Sequence, residues 1–117
     1  EPLSADDAGR SWRENRVVVM PRAPETIADG LRTRFIGERN LLIMRQHVHD
    51  MITVGEDEII AALRFALQRL KIVIEPSAAV ALAPLLGGRY SGAGKRAGVI
   101  LSGGNTDILH VSLPQRE

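Results

Sequence analysis

Apolar residues follow two rhythms along this chain. Across residues 38 to 50, Leu41, Met44 and Val48, with Met51 just beyond, recur at three- and four-residue steps, which marks one face of a helix. The pattern is stronger across residues 56 to 71, where Ile59, Leu63, Ala66, Leu67 and Leu70 form the stripe. Gly55 stands at the N-cap of this second helix, Glu56, Asp57 and Glu58 fill its positive first turn, and Lys71 sits at its negative end. The other rhythm is continuous. Val17-Val18-Val19-Met20, Met51-Ile52-Thr53-Val54, Ile72-Val73-Ile74 and Ala97-Gly98-Val99-Ile100-Leu101 are short apolar runs without polar alternation. Such runs predict strands buried on both faces, as in a parallel sheet.

Two further helices complete the predicted order. Ser4 as N-cap, with Asp6 and Asp7 in the first turn, predicts a short helix through about Trp12. Pro76 suits the first turn of a helix over residues 77 to 86 that is apolar all round and therefore buried. Its alanines at 78, 79, 81 and 83 permit close approach of another element, Pro84 predicts a kink or an early end, and Gly87-Gly88 closes it. Residues 89 to 96 read as a loop. Helices alternating with buried strands predict an α/β fold around a parallel sheet. Four short strands make a poor free-standing sheet, since parallel strands need crossovers and neighbours. The expectation is that residues 1–117 are the later part of a larger fold.

Composition narrows the function classes. At 117 residues the chain is at most one ordinary domain, and 44% apolar content suits a packed core. The net charge is +1 with scattered Lys and Arg, and the aromatics are only Trp12, Phe35, Phe65 and Tyr90. Nucleic acid and acidic membrane surfaces are therefore not expected partners. Cysteine is absent, which excludes disulfides and thiolate metal sites and fits a cytoplasmic protein. The acidic start lacks the order of a signal peptide, and the longest nearly uncharged run, residues 76 to 88, is too short to span a bilayer.

Candidate chemistry gathers where the last predicted strand ends, in Ser102-Gly103-Gly104-Asn105. In open α/β sheets ligands bind beyond the carboxyl ends of strands. A hydroxyl followed by two glycines can serve a ligand there, or can simply make a turn. Local readings of other positions are similarly divided. Gly30 fits a left-handed turn, Glu75 fits an acid favoured before a helix N-terminus, and Asp6 and Asp7 fit helix capping. Gly92-Ala93-Gly94-Lys95 lacks the spacing and the following Ser or Thr of a phosphate loop. His47 and His49 sit two apart on a predicted helix and so point to different faces, a poor metal geometry, and His110 carries no signal.

Four segments taken together and in order resemble the second half of the fold-type II pyridoxal-phosphate enzymes, in the threonine/serine dehydratase and serine racemase branch. They are EPLSADD at residues 1–7, PETIADG at 24–30, the helix from Glu56 leading into Ile74-Glu75-Pro76, and LSGGNTD at 101–107. The resemblance implies the parallel-sheet, three-layer fold of the tryptophan synthase β-like class, C-terminal portion only. It implies that Ser102 hydrogen-bonds the pyridine nitrogen of pyridoxal 5'-phosphate. A hydroxyl leaves that nitrogen neutral, so the ring is a gentler electron sink than one paired with Asp, which suits β-elimination. Gly103 and Gly104 would keep the ring edge uncrowded, Asn105 would brace the turn, Gly30 would pass close to the cofactor, and Glu75 would stand beside it. Glu1, Ala5 (through its carbonyl) and Asp7 match a divalent-cation site, where oxygen ligands suit Mg²⁺, Ca²⁺ or Mn²⁺. Ala79, where a glycine is common, and Pro84 depart from the family pattern.

The family's Schiff-base lysine, its substrate-carboxylate loop and its phosphate cup have no counterpart here, and neither Lys71 nor Lys95 matches the lysine. The implied whole is an ammonia-lyase that removes the α-proton and the β-hydroxyl of L-threonine or L-serine and releases ammonia. It would be a homodimer, with this segment inactive without the N-terminal half. The alternatives are a serine or aspartate racemase of the same family and a non-catalytic α/β module that binds a small ligand or a partner.

Overall fold

The computed structural model describes residues 1–90 and 92–107. Among the described residues there are four α-helices: α1 (Asp7–Glu14), α2 (Glu38–His47), α3 (Glu56–Phe65) and α4 (Pro76–Leu86). A 3₁₀ turn spans Asp29–Leu31, and a π-helical turn at Ala66–Leu70 continues α3. Lys71 then takes a left-handed conformation with φ 61°, which stops the helix abruptly.

The core lies between α3 and α4. Ile59, Ala62, Leu63 and Ala66 on one side meet Ala78, Ala79, Val80, Leu82 and Ala83 on the other, with Ala28, Val54 and Ile74 closing the cluster. Alanines make up much of this seam, on both helices. The start of α3 is held by its own chemistry, with the Gly55 N–H donating to Glu58 Oε2 at 2.7 Å. Arg89, beyond the end of α4, reaches back to Glu58 at 3.0 Å and to the Thr53 carbonyl at 2.8 Å. Pro84 lies inside α4 and the helix still runs to Leu86. The Pro84 carbonyl is used by Arg89 N–H at 2.9 Å, so the proline sits where the helix is already turning into its exit.

The N-terminal helix begins at Asp7, later than its Ser4 signal predicts. The Ser4 hydroxyl donates instead to the Glu25 carbonyl at 2.7 Å, and the Gly9 N–H is capped by Glu1 Oε1 at 2.8 Å. At the far end of α1, the fully buried Ser11 donates to the Asp7 carbonyl and accepts from the Val18 N–H at 2.9 Å. α2 ends at His47, short of the expected residue 50, because Val48 is extended.

The expected parallel sheet is the main correction. Among the described residues the sole strand-type pairing is a parallel bridge between Pro2 and Val54. Its bonds are Val54 N–H to Glu1 O at 2.9 Å and Leu3 N–H to Val54 O at 2.8 Å. The runs at 17–20, 72–74 and 97–101 do not form strands. Segments 72–75 and 101–104 touch through one bond, Glu75 N–H to Gly103 O at 3.2 Å. A strand exists only as part of a ladder, and parallel ladders need a neighbour in register. Here the apolar runs reach helices and loops, and Val73 and Ile100 remain 49% and 83% exposed.

Candidate functional site

Two clusters of expected site residues form. The first surrounds the entry to α4. Glu75 is the N-cap of that helix, its backbone extended, and its carbonyl accepts the Ala78 and Ala79 N–H groups at 3.0 and 3.2 Å. Gly103 lies against the Glu75 side chain. A Cβ there would fall 2.5 Å from the Glu75 carboxyl, and its φ of 89° already favours glycine. Gly30 approaches the same turn from the Asp29–Leu31 segment. Its N–H donates to Asp29 Oδ1 at 2.9 Å and to Ser77 Oγ at 3.0 Å, and a Cβ on it would stand 2.8 Å from that hydroxyl. Gly104 passes Val73, where a Cβ would come within 3.2 Å of the carbonyl.

Ser102 stands next to Gly103 with its side chain exposed, and its hydroxyl has no hydrogen-bond partner among the described residues. Asn105 makes no side-chain bond among the described residues either, so it does not brace the turn as expected. The turn is closed by the backbone, from Thr106 N–H to Gly104 O at 3.0 Å. Sequence reasoning missed Ser77. Its signal was available, a hydroxyl directly after Pro76 at the start of a buried helix, but its partner Gly30 lies 47 residues away.

The second cluster is acidic. Glu1, Ala5 and Asp7 line one cavity of about 330 Å³ together with Thr33, Phe35 and Asn40. Burial pushes the Glu1 carboxyl up, partly opposed by the hydrogen bond from the Gly9 N–H. Burial also raises Asp7, with Asp6 adding to the effect. Both groups thus resist carrying charge in the absence of a cation. The donor set is two carboxylates and a carbonyl; no group of three or more His, Cys, Asp or Glu suited to a metal occurs among the described residues. His47 and His49 are exposed, as expected, and His110 lies outside the described residues.

The family model for pyridoxal-phosphate dependent enzymes matches residues 1–103. The chain belongs to this family. It is 38% identical over 108 residues to L-threo-3-hydroxyaspartate ammonia-lyase of Saccharomyces cerevisiae, covering 92% of this chain and 33% of that protein. It is 40% identical over 115 residues to a serine racemase of Dictyostelium discoideum, covering 96% and 35%. Among solved structures it superposes on a threonine deaminase from T.th. with a TM-score of 0.80 and 40% identity, covering 92% of this chain and 39% of that one. Maize serine racemase gives 0.83 and 36%, covering 92% and 34%. The chain therefore spans about a third of the length of the curated relatives it matches. The helical framework is that of the fold-type II enzymes, although the described residues lack the sheet.

The first cluster fits a pyridoxal-phosphate enzyme. Gly30 and Gly103, drawn from distant segments, meet the first turn of α4 at Ser77 and Glu75 in places where side chains would collide, and Ser102 beside Gly103 is exposed. The second cluster offers only oxygen donors, and Glu1, Ala5 and Asp7 share the lining of one cavity.

Proposed function

We propose that residues 1–117 form the C-terminal, cofactor-side segment of a pyridoxal-phosphate-dependent ammonia-lyase acting on β-hydroxy amino acids, threonine and serine first. The observation that carries this reading is the convergence of Gly30, Glu75 and Ser102-Gly103 at the start of α4. Pyridoxal phosphate, when bound, supplies the electron sink that makes the α-proton of an amino acid removable. The Ser102 hydroxyl would bond the pyridine nitrogen, and as a weak acid it would leave that nitrogen unprotonated. Gly30 and Gly103 would let backbone approach the ring, with the Gly103 carbonyl held by the Glu75 backbone N–H. The two lysines of the chain, Lys71 and Lys95, are both exposed, so the Schiff-base lysine belongs to the N-terminal half. The segment alone is inactive on this reading.

Glu1, Asp7 and the Ala5 carbonyl would hold a divalent cation with water completing its shell, in a structural or regulatory role. A cytoplasmic homodimer of the full enzyme completes the reading. The absence of cysteine supports the compartment and the family resemblance supports the dimer, which sizing of the full-length protein tests.

The test is product analysis on the full-length enzyme with L-threonine, L-serine and L-threo-3-hydroxyaspartate. Formation of a 2-keto acid and ammonia is expected. D-serine as the main product from L-serine, or D-aspartate from L-aspartate supplied in a separate assay, favours the racemase, a reading supported by serine racemases among the relatives. An intact protein without cofactor absorbance favours the binding module, and turnover of L-threonine by residues 1–117 alone overturns the division of labour.

A further inference from the structure

We infer that Ser77 is a positioning residue for the cofactor site, its hydroxyl fixing where the Gly30 backbone lies; this rests on the reading proposed above. The Gly30 N–H is shared between two acceptors. Asp29 Oδ1 is its immediate neighbour in sequence and travels with it, whereas Ser77 Oγ belongs to α4. Of these two bonds, the one to Ser77 therefore ties the Asp29–Leu31 turn to the helix. Packing of Ala28 and Leu31 on the core brings the turn to α4. Apolar contact is non-directional, so it does not set the direction of the Gly30 N–H. A hydrogen bond is directional and does.

Two residues further back, Glu75 performs the matching task for Gly103 through its backbone N–H, which donates to the Gly103 carbonyl at 3.2 Å. The first turn of α4 thus holds both glycine segments, Gly30 by Ser77 and Gly103 by Glu75. Both segments are thus tied to one rigid element, and Ser102 adjoins one of them. The fit at Gly30 is close: a Cβ there would meet the Ser77 hydroxyl at 2.8 Å and displace it.

A serine near a helix start that served the helix alone would leave cofactor binding untouched when replaced by alanine, the better helix former. The experiment uses the full-length enzyme with Ser77→Ala, Ser77→Thr, Gly30→Ala and the Gly30→Ala/Ser77→Ala pair. The readouts are the urea midpoint of the apo form, the cofactor dissociation constant by equilibrium dialysis, and the visible circular dichroism of the bound cofactor. Ser77→Ala is expected to hold its urea midpoint, to bind cofactor roughly threefold to tenfold more weakly, the worth of one hydrogen bond, and to change the dichroism. Ser77→Thr is expected to restore both. Gly30→Ala displaces the same hydroxyl, so adding Ser77→Ala to it weakens binding by less than the product of the two single effects. Wild-type affinity and dichroism in Ser77→Ala, or no rescue by Thr, overturns the inference while leaving the proposed function standing. Should Ser77→Ala fail to fold, unchanged cofactor affinity in Gly30→Ala overturns it instead. Wild-type protein without a cofactor band overturns the proposed function and this inference with it.

Discussion

The α3–α4 pair and the extended runs at 72–74 and 97–101 are similarly apolar in sequence, yet they meet opposite fates. Ile59, Ala62 and Ala79 are completely buried, while Val73 and Ile100 stay 49% and 83% exposed. A helix satisfies its backbone within itself and needs only a partner for one stripe. A parallel strand needs lateral partners for its backbone and cover on both faces. Among the described residues the first requirement is met by α3 and α4, and the second only at Pro2 and Val54. The described residues thus form a packed helical layer without a sheet, and the candidate cofactor residues sit along the boundary between helix and extended run.

The largest test of that contrast is Ile59→Ala, which opens a cavity in the finished layer. It should cost about 3 kcal/mol, read as a shift in the urea midpoint of the full-length enzyme. A cost below about 1 kcal/mol would mean that the α3–α4 seam is not the stabilising core. Next in size is the acidic cavity. Burial raises the Glu1 and Asp7 carboxyls from their ordinary values. Without a cation their contribution to stability is full below about pH 4, the unfolded value, and is lost as pH rises through the raised values. A divalent cation reverses that trend, because it binds the deprotonated pair. Mg²⁺ or Ca²⁺ at a hundredfold excess over its Kd should add about 2.7 kcal/mol at neutral pH, little at pH 4, and nothing in Asp7→Asn. Absence of any thermal shift at neutral pH argues against the cation site.

At the boundary itself, Gly103→Ala should cost about 2 kcal/mol, from its positive φ and its collision with Glu75. Adding Glu75→Ala should recover the part due to the collision and leave the part due to φ, which a double-mutant cycle separates. Smaller again is Arg89→Ala. Its pair with Glu58 is partly exposed, with side chains at 49% and 27%, so a loss of about 0.5–1 kcal/mol is expected, weakening further in high salt. The smallest effect belongs to the unfinished sheet. Ile100→Ala should change the stability of the isolated chain by less than about 0.5 kcal/mol, and that of the full-length enzyme by more. Equal effects in both would show that no strand covers this position in the larger protein.

Sequence periodicity located the helices well, because their signals are local. The stripe of α3, the Gly55 cap with its acidic first turn and the Pro76 start of α4 all appear where expected. The ends were less legible. Ser4 looked like a cap until its hydroxyl turned to the Glu25 carbonyl, a partner 21 residues away, and the π-helical turn before Lys71 has no local signature. Of the site residues, Gly30, Glu75 and Gly103 do come together, and Ser102 stands beside them. Asn105 plays no bracing part because the backbone closes that turn by itself. Ser77 was silent for the reason Ser4 misled: a hydroxyl declares itself only through its partner.

By itself, the amino-acid sequence determined where the helices lie, which of their faces are apolar, the order of the four motifs and the oxygen-only character of the acidic start. Each of these depends on residues within a turn or two of one another, or on residue type alone. Tertiary structure alone decided that the apolar runs do not pair into a sheet, that Gly30 docks on Ser77 and Gly103 on Glu75, and that Glu1 caps the helix carrying Asp7. Those are contacts between distant segments, and they exist only once α3 and α4 have packed and fixed where each loop must pass.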